Sequence, residues 1–187
     1  VHIMPEQEGV SSKRGTMRLG DYPCHPQAQT LTKAAYGADV VKIEPPVGDW
    51  ARRLGTTYGD HSAISSVFNR GKRSLCLDMK QETARALVRR LALEADVFIE
   101  GFRPGVAARL GLGYEALAAV KPDIVMVSIS SSGQSGPDSH FAGYAPLFGA
   151  WGGLGTMTGY PDGPPVEMRH VMDHSVGMNA AAATVAA

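Results

Sequence analysis

Short apolar runs recur along the chain, separated by stretches with helical spacing. Val40-Val-Lys-Ile-Glu44 follows the turn formers Gly37-Ala-Asp39, and Ser74-Leu-Cys-Leu-Asp78 alternates at period two. Asp96-Val-Phe-Ile-Glu100 and Ile124-Val-Met-Val-Ser-Ile129 are further strand patterns. These runs predict strands at 40–44, 74–78, 96–100 and 124–129. Residues 81–95 place Ala84, Ala86, Leu87, Leu91 and Leu93 among Arg85, Arg89 and Arg90, which predicts an amphipathic helix. Tyr114 to Val120 predicts a shorter one. Strands alternating with helices define an α/β class with an open, mostly parallel sheet. Ligands of such sheets sit beyond the carboxyl ends of the strands. The loops after Glu44, Asp78, Glu100 and Ser130 are therefore where a site is expected. The last of these, Ser130-Ser-Ser-Gly-Gln-Ser-Gly-Pro137, is rich in turn formers.

The two ends differ from the middle. Val1 to Gly20 has no apolar core of a secretory signal and reads as a loose leader. The expected division is a divergent leader and first helix over 1–36, then one incomplete large domain over 37–187. Met172 to Ala187 reads as an Ala-rich helix that no Gly cap, charge or Pro closes, the pattern expected of a truncated domain.

Composition narrows the functional classes. The chain has 187 residues, enough for about one domain. Lys+Arg and Asp+Glu are both 18, so there is no charge footprint for nucleic acid or an anionic membrane. No apolar run reaches the roughly 18 residues of a membrane span. Two cysteines, Cys24 and Cys76, are too few for a disulfide framework and lack zinc spacing. They read as reduced thiols of a cytoplasmic protein.

Nucleotide and hydrolase motifs are missing. No GxGxxG opens a helix after a strand, and Gly152-Gly-Leu-Gly155 is a near match with no strand before it. There is no GxxxxGK[ST] and no GxSxG elbow. His170 and His174 are four apart, but no acidic third ligand accompanies them, so no metal site is expected. Asn69-Arg-Gly-Lys-Arg73 is either a solvated turn or a contact for an anionic ligand, to which Arg103 and Arg109 would add.

An ordered run of motifs goes further. Gly37-Ala-Asp-Val-Val-Lys-Ile-Glu-Pro-Pro46 with Gly48-Asp49 comes first, then Asn69-Arg-Gly-Lys-Arg-Ser-Leu-Cys-Leu-Asp-Met-Lys80. Asp96-Val-Phe-Ile-Glu-Gly-Phe-Arg-Pro-Gly105 and Arg109-Leu-Gly-Leu-Gly-Tyr-Glu-Ala-Leu117 follow. Ser128 to Pro137, Ala142-Gly-Tyr144 and Thr158 to Pro165 complete the order. This run resembles the class III coenzyme A transferases from residue 37 onward. The resemblance implies a Rossmann-like large domain and transfer of coenzyme A between an acyl-CoA and a carboxylic acid. It implies an interlocked homodimer, or pairing with a related chain. Coenzyme A enters as substrate, with no tightly bound cofactor and no metal.

The resemblance also implies site residues. Val171-Met-Asp-His-Ser-Val-Gly177 fills the place of the family's catalytic motif, so Asp173 matches the acyl-carrying aspartate. Coenzyme contacts fall on Leu77, Asp78, Met79 and Lys80, on Gly101, Phe102 and Arg103, on Arg109, and on Ala142, Gly143, Tyr144 and Ala145. Gly101 replaces the usual Asn and removes a side-chain hydrogen bond. Ala145 stands where an acidic residue is common. Tyr22-Pro-Cys-His-Pro26 stands where relatives carry a Gly-Pro loop. An α-methylacyl-CoA racemase-like isomerase on the same scaffold would need a histidine where Tyr144 stands, although His140 is close by. A non-catalytic partner chain is a third reading.

Overall fold

The computed structural model describes residues 2–3, 15–19, 37–167 and 171–187, the first two stretches as backbone alone. Cys24, His170, Tyr22 to Pro26 and the helix expected before residue 37 lie outside the described residues.

A six-stranded sheet organises the described chain. Its strands are β1 (His2–Ile3), β2 (Gly15–Leu19), β3 (Asp39–Glu44), β6 (Lys72–Cys76), β7 (Val97–Glu100) and β8 (Val125–Ser128). A small hairpin, β4 (Thr57–Tyr58) with β5 (His61–Ser62), stands apart from it. The spatial order is β1-β8-β7-β2-β3-β6, parallel throughout except where β1 runs antiparallel to β8. The chain winds outward from β2 to β3 and β6, then crosses back to β7 and β8 on the other side. That reversal makes the doubly wound α/β arrangement, with its switch point between β2 and β7.

At β7 and β8 both faces of the sheet are covered, as a parallel sheet requires. Phe98 and Met126 point to one face and join Val88, Ala92, Leu112 and Leu117. These come from α2 (Glu82–Leu93), α4 (Tyr114–Ala118) and the loop between α3 (Val106–Arg109) and α4. The alternate positions Ile99 and Val127 point to the other face, where they meet Ala180 of α6 (Val171–Ala186). The period-two alternation of β7 and β8 therefore serves two cores at once.

The predicted strands and helices are present, with shifted edges. The expected strand 74–78 lies at Lys72–Cys76, because its partner β3 stops at Glu44. Pro46, whose nitrogen would be the next to face β6, has no N–H to continue the ladder. Leu77 makes one last bond, its N–H donating to the Glu44 carbonyl at 2.8 Å. Asp78 then folds into a turn, where its side chain accepts from the Lys80 N–H at 3.0 Å. The helix over 81–95 is α2, and its buried stripe is Ala84, Val88 and Ala92. Sequence reading did not place β1 and β2, which lie in the stretch read as a leader. It also missed α1 (Ala63–Phe68), α3 and α5 (Ala145–Trp151).

Candidate functional site

Where β3, β6 and β7 end, the chain opens into a cleft of about 840 Å³. One wall is the loop after β3, from Pro45 to Trp50, with Arg53 beyond it. A second is Leu77, Asp78, Met79 and Lys80 after β6, backed by Arg85 of α2. Phe102, Val106 and Leu110 close the third side. A cleft of this volume, mostly apolar with a few placed polar groups, is the usual form of a small-molecule site.

A buried charge cluster builds the first wall. Glu44 ends β3 at the cleft floor, almost wholly buried. Arg52 closes a fork on it, Nε to Oε2 at 3.0 Å and Nη2 to Oε1 at 3.1 Å. Lys42, 1% exposed, reaches Glu44 Oε1 at 3.1 Å and also pairs with Asp49. The hydroxyl of Ser74 donates to Glu44 Oε1 at 3.1 Å. Burial pushes the Glu44 carboxyl up, but the hydrogen bonds and charges of Arg52 and Lys42 outweigh it and hold the group at about 2. The same contact with Glu44 holds the Arg52 guanidinium more firmly protonated. Asp49 caps the short 3₁₀ turn Trp50–Arg53, accepting from the Ala51 N–H at 2.9 Å. Gly48, at φ +81°, lets the chain turn back, with its N–H on the Pro45 carbonyl at 2.8 Å.

A second buried carboxylate ends β7. Glu100 is 2% exposed and accepts from the Phe102 N–H at 2.7 Å. Burial raises its carboxyl above the ordinary range, against the lowering effect of hydrogen bonds from Ser128 and Phe102. This contact fixes the path of the chain into Gly101 to Arg103.

The structure brings part of the expected coenzyme set together. Leu77, Asp78, Met79, Lys80 and Phe102 line the cleft. Gly101, Arg103 and Arg109 flank it without lining it; Arg109 extends toward Gly105, where a Cβ would lie 3.3 Å from Nη1. Ala142, Gly143, Tyr144 and Ala145 lie at the start of α5 and are not among the lining residues. Gly143 packs so closely there that a Cβ would come within 2.6 Å of Leu147 Cδ2. Asp173 is likewise not among the lining residues; it is buried in the first turn of α6. With Gly177, Ala180, Ala181 and Thr184 it forms the buried stripe of that helix. His174 points elsewhere, its ring centred 5.3 Å from that of Phe68. Among the described residues no group of three or more metal-ligating side chains is assembled.

One expectation fails on geometry. Arg73 does not add charge to the cleft: it forks onto Asp39, with Nε 3.0 Å from Oδ1, at the amino ends of β3 and β6. The cleft lies at the carboxyl ends, about 10 Å away along the strands. Sequence reading missed Trp50, Arg53 and Arg85 as cleft residues. The loop after Glu44 follows the carboxyl end of a strand, so the signal for Trp50 and Arg53 is position rather than motif.

The sequence profile of CoA-transferase family III matches residues 26–187, reaching back ahead of Gly37 where the motif run begins. The acetyl-CoA:oxalate CoA-transferase of Acetobacter aceti is 44% identical over 133 residues, covering 71% of this chain and 34% of that protein. The succinyl-CoA–D-citramalate CoA-transferase of Chloroflexus aurantiacus is 38% identical over 154 residues, covering 81% of this chain and 38% of its own. Among solved structures, a CAIB/BAIF family protein from Brucella suis superposes with a TM-score of 0.84 at 34% identity, over 92% of this chain and 47% of that one. The chain belongs to CoA-transferase family III. It spans about a third of the length of the curated relatives it matches.

Proposed function

We propose that this chain carries the coenzyme-binding sheet of an enzyme that transfers coenzyme A between an acyl-CoA and a carboxylic acid. The observation that carries the reading is the cleft. Leu77, Asp78, Met79, Lys80 and Phe102 line one space at the carboxyl ends of the strands. They are the residues on which the family resemblance implies coenzyme contacts. Names of relatives that transfer coenzyme A between acids support the same chemistry.

In this reading Asp173 carries the acyl group. Its carboxylate oxygen attacks the thioester carbonyl, breaking the C–S bond and giving a mixed anhydride and the coenzyme thiolate. The thiolate attacks the aspartyl carbonyl, forms an aspartyl-CoA thioester and releases the first acid as its carboxylate. The incoming carboxylate repeats the two steps in reverse, which restores Asp173 and yields the new acyl-CoA. Backbone N–H groups beside glycines can stabilise the oxyanions on the way. Tyr144, where a racemase would need a histidine, supports transfer over proton exchange.

The partners of the reading are an acyl-CoA, a carboxylic acid and a second chain, identical or related. Its setting is the reducing cytoplasm, with Cys76 as a free thiol; no helix among the described residues is long and apolar enough to cross a membrane. The test is Asp173→Asn in a protein containing this segment. Transfer should be abolished while coenzyme A binding persists; near-normal transfer would remove Asp173 from its role.

A further inference from the structure

Two adjacent arginines on the wall after β3 have opposite fates. Arg52 is consumed: Glu44 takes its fork, and its Nη1 lies 3.2 Å from His61 Nδ1 on the β4–β5 hairpin. Arg53 lines the cleft, is exposed, and makes no ion pair among the described residues. The turn that carries them is fixed residue by residue. Asp49 caps it, the Ser62 hydroxyl donates to the Ala51 carbonyl at 2.5 Å, and Arg52 is locked on Glu44.

Of the other charged residues lining the cleft, Glu44, Asp49 and Arg85 are matched, and Asp78 is a carboxylate without an ion pair among the described residues, its Oδ1 accepting from the Lys80 N–H at 3.0 Å. Glu44 and Asp49 face Lys42 and Arg52. Arg85 lies on Glu82 at 2.5 Å and donates to the Met79 and Lys80 carbonyls. That leaves Arg53 and Lys80 as cations on two different walls, each without an ion pair among the described residues. Two such cations beside apolar Pro45, Trp50 and Met79 suit a ligand with phosphates on an organic body.

Resting on the coenzyme reading of the cleft, we propose that Arg53 is a phosphate-binding residue of the site, and that the Glu44–Arg52 fork positions it. Arg52 acts through Arg53 and does not touch the ligand. The exposed guanidinium of Arg53 is free to form a bidentate contact with a phosphate. The fork holds its backbone at the cleft rim, so little ordering remains to be done on binding.

The test is calorimetric titration of the 187-residue chain with coenzyme A, dephospho-coenzyme A and pantetheine. Arg53→Gln should weaken coenzyme A binding about tenfold or more and leave pantetheine, which has no phosphate, unchanged. A loss confined to coenzyme A assigns the 3′-phosphate, and a loss shared with dephospho-coenzyme A assigns the diphosphate; either supports the proposal. Arg52→Lys keeps the charge but not the fork. It should weaken coenzyme A as well, and the double variant should bind no worse than Arg53→Gln alone. Wild-type affinity in Arg53→Gln, or an equal loss for pantetheine, would overturn the phosphate contact. Additive losses in the double variant would overturn the positioning role. A wild-type chain that binds none of the three compounds would instead refute the coenzyme reading on which the proposal stands.

Discussion

Replacing Glu44 with Gln keeps the side chain's shape and removes its charge. The fork from Arg52 then meets an amide whose NH₂ is itself a donor, and Lys42 loses one carboxylate while keeping its pair with Asp49. The folded carboxyl sits at about 2 against an ordinary 4.5, a difference equivalent to about 3 kcal/mol. Removing one partner of a buried ion pair costs about 3–5 kcal/mol, so the two routes agree. For a chain of this size the loss should lower Tm by about 6–12 °C at pH 7. The sign of the pH dependence follows from the depressed value. The contribution is fully present above 4.5 and is lost as pH falls through the interval toward 2. Equilibrium urea unfolding by circular dichroism at pH 7, 5, 4 and 3 measures both. The gap between wild type and Glu44→Gln should be widest at pH 7 and pH 5 and narrow at pH 4 and 3. A gap under about 0.5 kcal/mol at pH 7, the scatter of ordinary surface substitutions, would refute the reasoning. So would a gap that does not change with pH.

Two further outcomes follow from the same loops. Glu100 has its carboxyl raised by burial, so its charged form costs stability above that raised value and the cost disappears below 4.5. Glu100→Gln, which keeps an acceptor for the Phe102 N–H, should unfold at higher urea than wild type at pH 7, with the advantage closing as pH drops toward 4.5; a less stable variant at pH 7 would contradict this. Gly48→Ala forces a Cβ onto a backbone at φ +81° and to 3.3 Å from Arg52 Cδ. It should cost about 1–2 kcal/mol in urea unfolding and weaken coenzyme A binding, whereas unchanged values in both would show that this turn does not shape the wall.

What the sequence revealed, and what it hid, has physical causes. β7 and β8 were legible because their apolar residues are continuous, and each is buried on both faces, as at Phe98 and Ile99. β2 was not, because Gly15-Thr-Met-Arg-Leu19 carries few apolar residues and sits in a polar stretch; only its pairing with β3 and β7 makes it central. The edge of β6 was misplaced by two residues because the stop came from Pro46, just past the end of the neighbouring strand. Local pattern cannot see a partner's proline. Motif resemblance points to Leu77, Asp78, Met79, Lys80 and Phe102, and the structure gathers these residues in one cleft. The resemblance passes over Arg53 and the Lys42–Glu44–Asp49–Arg52 cluster, whose role depends on contacts between residues from different elements. Arg73 misled for the reverse reason: its charge is visible in the sequence, but the end of the sheet it occupies is not.

The central claim is that a carboxylate of this segment carries coenzyme A covalently, and hydroxylamine tests it most directly. A protein containing this segment is incubated with an acyl-CoA, treated with hydroxylamine, digested and weighed peptide by peptide. Hydroxylamine converts an aspartyl anhydride or aspartyl thioester into a hydroxamate, which adds the mass of one NH group to that residue. The account predicts that mass on the peptide containing Asp173, only when acyl-CoA is supplied, and none on the same peptide from Asp173→Asn. An unmodified Asp173 during active transfer, or the added mass on another carboxylate, would contradict it.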